Sequence, residues 1–336
     1  MTPLKTALIG FGKVADTLRH DARMARYFPD ASHAQVLKRH PAFDWVAVVD
    51  PSPDALVRAK QDWNIATCAR DVAALPDREA ITAAVIASPP EGRLAALEAL
   101  PSLRTVLVEK PLGAAPGEGA AFVSACDRRG IKVQVNYWRR AVPAYRDLAA
   151  GGLEKMIGQV QTVFGVYGNG LMNNGSHMVD FLRMLCGEIE GVDGVGPTKA
   201  ACSPIAGDDD IACLLRLSNG ASVALTPVDF NHWREVGLDI WGTAGRVSIL
   251  QESLAVYHYA RRDNRGIEGE AEIDSGKPEM MEPDAGASLA AMYDNLADAV
   301  GADVPLLCPG RDAVRNEDVI QDIRARAATL YMAGGA

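Results

Sequence analysis

Continuous apolar runs separated by helical segments fill the first 136 residues, and few folds accommodate that pattern. The runs fall at 6–9, 45–49, 81–87, 105–108 and 132–135, with a weaker one near 65–68. Between them lie segments of helical spacing with start and stop signals: 32–40 ended by Pro41, 54–64, 91–100 ended by Pro101, and 117–130. Strands that are apolar throughout, rather than alternating, are buried on both faces, and helical connections between them imply parallel pairing. The expectation is an α/β domain over residues 1–136, a doubly wound parallel sheet of the nucleotide-binding kind.

The remaining chain changes character. Segments 159–167, 211–217, 221–226, 236–241 and 247–250 read as strands with tight turns between them, among them Ser218-Asn219-Gly220 and Thr243-Ala244-Gly245. Adjacent strands joined by short turns imply an antiparallel sheet. The polar stretch 263–284 reads as a long surface loop, followed by helices at 287–300 and 313–332. Residues 137–336 are therefore expected to form a second, α+β domain, its last helices packing back on the first. A chain of 336 residues has room for two such cores.

The formal net charge of −9 disfavours nucleic acid or an anionic membrane as the main partner, and leaves room for an anionic small molecule at a locally basic site. The chain begins directly with a strand, without a signal-peptide pattern, and has no apolar stretch of about 18–20 residues. A cytoplasmic protein is expected. The cysteines at 68, 126, 186, 202, 213 and 308 are scattered and read as reduced small hydrophobes. No spacing suggests a metal site.

The first strand ends in Gly10-Phe11-Gly12-Lys13-Val14-Ala15. In this pattern the first glycine permits the turn, the second admits a pyrophosphate close to the backbone, and the small Ala15 lets helix and strand pack. A helix opening at this turn would offer free N–H groups to phosphates. Asp50 ends the second strand, where a carboxylate takes ribose hydroxyls and repels a 2′-phosphate, so NAD is expected over NADP. Asp50 lies 38 residues after Gly12, where about 20 is typical. The excess is placed at 17–31, with Arg19, Arg23, Arg26 and Tyr27, as either a solvated extension or a basic flap.

Glu109-Lys110-Pro111 closes the run 105–108 and puts Lys110 at the carboxyl edge of a parallel sheet, where such sheets bind ligands. An ammonium there can stabilise negative charge on a substrate oxygen. A cis bond before Pro111 would aim the lysine. His177 follows Asn173-Asn174-Gly175-Ser176, a run of capping residues, and is expected in the first turn of a helix as a proton acceptor. Asp180, one turn on, is placed to orient it.

Taken in order, Gly-x-Gly-x-x-Ala, Glu109-Lys110-Pro111 and Gly175-Ser176-His177-Met178-Val179-Asp180 resemble the glucose–fructose oxidoreductase, inositol dehydrogenase and rhizopine-catabolism (Gfo/Idh/MocA) family. Val135-Asn136-Tyr137-Trp138-Arg139-Arg140 leading to Pro143 is similar to that family's crossover, and Gly242-Thr243-Ala244-Gly245 to its late turn. The resemblance implies a Rossmann domain and an open-faced antiparallel sheet that commonly forms homodimers or homotetramers. It also implies oxidation or reduction of a secondary alcohol on a sugar, cyclitol or sugar nucleotide. Lys110 and His177 match the family's catalytic pair, with Asp180 and Asn173 beside them. The expected cofactor set is Gly10, Phe11, Gly12, Lys13, Val14, Asp50, Ser88, Pro89, Glu109, Lys110 and Asn136. Arg139, Arg140, His232 and Arg234 are candidate substrate contacts, arginine being suited to phosphate or carboxylate. Two residues depart from the family pattern: Asn173 stands where an aspartate is usual, and Arg93 where a histidine is common.

Two rivals share this scaffold. A non-catalytic NAD-binding sensor predicts loss of the lysine or histidine, and both are present. An enzyme that retains NAD through a net non-redox reaction would carry the same residues.

Overall fold

The computed structural model describes residues 2–334; Met1, where the sequence reading begins, and the last two positions of the region 137–336 lie outside the described residues. Two compact units divide the chain, Met1–Ala141 with Ala285–Arg315, and Val142–Asp284 with Asn316–Ala336.

In the first unit, β1 (Leu4–Ile9), β2 (Phe43–Val49), β3 (Thr67–Ala69), β4 (Ala83–Ile86), β5 (Thr105–Val108) and β6 (Lys132–Val135) form a parallel sheet in the order β3-β2-β1-β4-β5-β6. Successive residues of β1 show why the runs are continuous. Ala7 and Ile9 join a core with Val106, Val108 and Phe122, whereas Leu4 and Leu8 join another with Trp45, Leu107 and Tyr293. Each buried aliphatic side chain stabilises the sheet by about 1.5–3 kcal/mol. After the four-residue α1 (Met24–Tyr27) come α2 (His33–Arg39), α3 (Pro53–Trp63), α4 (Arg93–Ala99) and α5 (Glu118–Arg128). Ser32 and Gln35 form a reciprocal cap on α2. α3 starts on Ser52 and Pro53 and ends at Asn64, which takes a left-handed φ of 58°.

The helix expected to open at the glycine turn is interrupted. Residues after Gly12 make one turn, with Asp16 N–H on the Gly12 carbonyl at 2.9 Å and Leu18 N–H on Lys13 at 2.9 Å. The chain then leaves, and α2 resumes the same hydrogen-bonding, His33 donating to the carbonyl of Val14 at 3.2 Å and Ala34 to that of Ala15 at 2.9 Å. Residues 16–32 are thus an excursion spliced into one helix. Without them, Asp50 would follow Gly12 at the typical spacing of about 20. The excursion is pinned at its base by buried Asp16, which accepts from Arg19, Arg58 and the Trp63 indole. Further along, Phe28 packs edge-on against Trp138 at 5.6 Å.

The second unit begins with α6 (Pro143–Asp147) and α7 (Leu153–Ile157), which the sequence reading passed over. Its sheet comprises β7 (Val160–Tyr167), β8 (Ile189–Ala200), β9 (Asp209–Leu217), β10 (Ser222–Pro227), β11 (Gly237–Gly242), β12 (Gly245–Leu250), β13 (Ala255–Asp263), β14 (Ala271–Ile273) and β15 (Glu279–Met281). The order is β14-β13-β12-β11-β7-β10-β9-β8, with β15 also on β13. Pairing is antiparallel except between β7 and β10. One face of the sheet is buried through Val163, Leu225, Leu238, Val247 and Leu215; Phe164 and Leu214 stand on the other, 53% and 42% exposed. α8 (Ser176–Cys186) and most of α10 (Gly310–Gly334) belong to this unit, while α9 (Ser288–Ala302) belongs to the first. Stretch 263–284, read as loop, carries two short strands, the half-buried β14 and the exposed β15. The thiols of Cys126, Cys186 and Cys213 are buried, which pushes each up to about 12, so they remain protonated.

Candidate functional site

At the carboxyl edge of the first sheet, the ends of β1, β2, β4, β5 and β6 present the sequence-nominated residues side by side. Gly10 has φ +85°, and a Cβ there would come 2.5 Å from the backbone nitrogen of Ser88, so only glycine lets the two strand ends approach. Gly12 is different: a Cβ on it would meet nothing within 4 Å. The backbone there faces open space of the kind a pyrophosphate fills. Asp50 faces the same turn, its Oδ2 accepting from Phe11 N–H at 2.6 Å and its Oδ1 from Ser52 N–H at 2.8 Å. Each carboxylate oxygen keeps a lone pair for a ribose hydroxyl.

β5 and β6 extend their pairing past their ends. Glu109 N–H bonds the Ile86 carbonyl at 2.8 Å and Asn136 N–H that of Val108 at 2.9 Å. The Lys110–Pro111 bond is cis. The turn that follows is collected by Arg93, which is buried and donates to the carbonyls of Pro111 at 2.5 Å, Leu112 at 3.2 Å and Ser88 at 2.7 Å. Arg93 therefore ties the loop after β4 to the loop bearing Lys110. A histidine could not reach three carbonyls with a rigid fork of donors.

Glu109 sits in a buried chain that the sequence did not disclose. Its Oε1 is 3.0 Å from His33 Nε2 and 2.6 Å from Asn136 Nδ2, and His33 Nδ1 is 2.8 Å from the Tyr293 hydroxyl. Burial opposes ionisation of Glu109, but the His33 hydrogen bond and charge, Asn136 and neighbouring Lys110 outweigh it and hold the carboxyl below the usual range. Burial and Glu109 keep the Tyr293 phenol protonated. His33 and Tyr293 lie 76 and 184 residues from Glu109; the only available signal was a histidine just inside a capped helix.

In the second unit, Leu171–Gly175 is already a helical turn that runs into α8, so His177 lies more than one turn in, not in the first turn as expected. The asparagines do not cap it through their side chains. Asn173 Nδ2 donates to the Asn169 carbonyl at 3.1 Å and Asn174 Nδ2 to that of Gly168 at 2.9 Å. The leading N–H groups are taken instead by acids preceding and opening β9: Met172 and Asn173 donate to Asp208 at 2.8 and 3.1 Å, and Gly170 to Asp210 at 2.9 Å. Asp208 is buried and also accepts from Ser203. Burial, with like charges at Asp208, Asp209 and Asp229, raises the Asp210 carboxyl despite that N–H bond. Asp180 is buried and accepts from Asn316 Nδ2 at 2.8 Å; Asn316 in turn bonds Arg183, which forks onto Glu188 at 2.8 and 3.0 Å.

The four substrate candidates differ in setting. Arg139 is buried, its guanidinium 4.5 Å over the Trp138 ring. Arg140 pairs with Asp312 at 2.8 Å. His232 is exposed, 3.8 Å from Asp229, and exposed Arg234 lies 3.3 Å from Glu252 and 4.5 Å over Phe230. Among the described residues no group of three or more His, Cys, Asp or Glu side chains could hold a metal, and no helix is long and apolar enough to cross a membrane.

A glycine turn against an acidic strand end, on a six-stranded parallel sheet, defines a dinucleotide-binding class of domain. Residues 4–137 match the model of the oxidoreductase family with an NAD-binding Rossmann fold, and 161–248 match the GFO/IDH/MocA C-terminal domain: the chain belongs to the Gfo/Idh/MocA family of oxidoreductases. No curated protein matches it. Solved structures share the fold at low identity. The WlbA dehydrogenase from Bordetella pertussis, in complex with NADH and UDP-GlcNAcA, is 21% identical with TM-score 0.71, covering 97% of both chains. A levoglucosan dehydrogenase in complex with NADH and levoglucosan is 17% identical with TM-score 0.74, covering 97% of this chain and 98% of that one. KijD10, a 3-ketoreductase from Actinomadura kijaniata in complex with TDP-benzene and NADP, is 16% identical with TM-score 0.72, covering 96% and 98%.

Proposed function

We propose that this chain is an NAD-dependent dehydrogenase or reductase acting on a secondary hydroxyl, or the matching ketone, of a sugar, cyclitol or sugar nucleotide. The observation that carries the reading is Lys110 at the end of β5, in a loop held by Arg93 on the same sheet edge as the open backbone at Gly12. Gly10, Phe11, Gly12, Lys13 and Val14 would hold the pyrophosphate, Asp50 the adenosine ribose, and Ser88, Pro89, Glu109, Lys110 and Asn136 the nicotinamide half. Asp50 favours NAD by charge, although NADP is the cofactor in the KijD10 complex.

When bound, NAD supplies the hydride acceptor. In the oxidation direction His177 takes the hydroxyl proton on a ring nitrogen, and Lys110 Nζ stabilises the negative charge growing on that oxygen. Asn173, an amide, adds no charge to this step. Asp180 acts through the helix, holding α8 by way of Asn316. Arg139, Arg140, His232 and Arg234 remain the candidates for an anionic substrate, with Arg140 already engaged by Asp312. The UDP-GlcNAcA in the WlbA complex favours a sugar nucleotide or sugar acid. The protein is read as cytoplasmic and as a homodimer or homotetramer formed through the open face around Phe164 and Leu214.

The test is a panel of sugars, cyclitols and nucleotide sugars followed by NADH absorbance, with Lys110→Ala and His177→Ala alongside. Turnover of one class that both variants abolish is expected. Near-normal turnover in the two variants would sink the mechanism, and stronger thermal stabilisation by NADP than by NAD would overturn the role of Asp50.

A further inference from the structure

We propose that Asn136 Oδ1 is the acceptor for the carboxamide N–H of a bound nicotinamide, and that His33 and Tyr293 are positioning residues that set its direction. The inference rests on the dinucleotide reading above and specifies which group at the sheet edge meets the reactive ring.

The direction of the two bonds onto Glu109 is fixed by chemistry. An ionised carboxylate only accepts, so both groups on Glu109 Oε1 must be donors: His33 Nε2–H at 3.0 Å and Asn136 Nδ2–H at 2.6 Å. Turning the Asn136 amide over would set its oxygen against the carboxylate oxygen at that distance, which like partial charges forbid. On its other side, His33 Nδ1 lies 2.8 Å from the Tyr293 hydroxyl, which holds the ring against the carboxylate. Tyr293 and His33 are buried, at 0% and 1% exposure, so water does not compete for these positions.

The consequence falls on the other end of the amide. Asn136 Oδ1 is buried and has no hydrogen-bond partner. Native proteins rarely leave such an atom unmatched without a use. The residue itself is half-buried and follows β6 directly, its N–H bonded to Val108 beside Glu109 and Lys110. The unmatched oxygen at this edge calls for a donor, and a primary carboxamide supplies one. A ligand offering only a carbonyl in that place gains nothing.

The experiment is a fluorescence titration of the full chain with NAD, with 3-acetylpyridine adenine dinucleotide, whose acetyl group lacks the N–H, and with ADP-ribose, which lacks the ring. Wild type is expected to prefer NAD over the acetylpyridine analogue by about three- to tenfold, the range of one neutral hydrogen bond. Asn136→Ala should erase that preference and leave ADP-ribose affinity unchanged, while Tyr293→Phe should narrow it. Absence of the preference in wild type, or its persistence in Asn136→Ala, overturns the assignment even with dinucleotide binding intact. So does a variant whose only change is a raised KM for the carbohydrate, since the donor would then be a substrate hydroxyl. Failure of wild type to bind either NAD or ADP-ribose removes the dinucleotide reading, and this assignment with it. If Asn136→Ala loses ADP-ribose binding by misfolding, Asn136→Ser and Tyr293→Phe decide by the same criterion.

Discussion

The loop that carries Lys110 and the turn that leads to His177 are held by charges of opposite sign. Each sign follows from the backbone groups left over. After β5 the chain offers the carbonyls of Pro111 and Leu112, and a cation, Arg93, gathers them. Ahead of α8 it offers the N–H groups of Gly170, Met172 and Asn173, and two anions, Asp208 and Asp210, gather those. Strand-to-loop turns and helix starts expose opposite ends of the peptide dipole. The lesson is that a buried charge outside the reacting pair can be assigned by asking which backbone atoms nearby lack partners.

The comparison breaks most visibly at the reactive groups. Lys110→Ala and His177→Ala should each lower kcat/KM by about 10²–10⁴-fold, with the fold retained by circular dichroism. Equal loss in both would show one shared proton step; a much larger loss in Lys110→Ala would show that Asn173 leaves the lysine with more of the work. Next come the holding charges. Arg93→Met leaves three carbonyls without their donors and should cost about 3 kcal/mol in urea unfolding, whereas Asp208→Ala frees two N–H groups of a helix start and should cost about 2 kcal/mol. A larger loss in Asp208→Ala would reverse the ranking of the two devices.

Acid provides the third test. The Glu109 carboxyl is held below its ordinary value of 4.5, so at pH below that value the unfolded chain binds more protons than the folded one. Its contribution is present above 4.5 and lost as pH falls through the lowered value; Glu109→Gln should flatten the acid limb of a plot of Tm against pH. Asp210 behaves in reverse. Its carboxyl is raised above 3.8, so its contribution is present below that value and lost as pH rises through the raised one. Asp210→Asn, which keeps an acceptor for Gly170, should leave neutral-pH stability unchanged or improved by less than about 0.5 kcal/mol. It is the smallest effect of the set. A clear destabilisation would show that the charge itself is needed there.

What the sequence made legible was local. Strands of the parallel sheet announce themselves because both faces are buried, and the glycine turn, Asp50 and the cis Lys110–Pro111 bond follow from residues adjacent in the chain. β8 escaped notice because Gly191, Gly194, Gly196 and Pro197 break its pattern, and its pairing with β9 shifts register three times. Asp208 as a cap and His33 with Tyr293 behind Glu109 were invisible for another reason. Nothing local marks a partner 36, 76 or 260 positions away; only the fold joins them. The run Asn173-Asn174-Gly175-Ser176 misled because capping residues serve as well inside a turn, bonding back to carbonyls at Gly168 and Asn169.

The excursion at residues 16–32 has a consequence for engineering. Because His33 and Ala34 bond directly back to Val14 and Ala15, the two ends of the inserted segment already meet inside one helical register. Closing or lengthening a segment between fixed, adjacent ends changes loop entropy only logarithmically, each doubling adding about 0.6 kcal/mol. The exposed part of the excursion around Arg23, clear of the Phe28 contact with Trp138, is therefore a graft point: a peptide tag or a small folded module inserted there should leave the sheet undisturbed. The helix on either side of the excursion already keeps its hydrogen bonds across the junction.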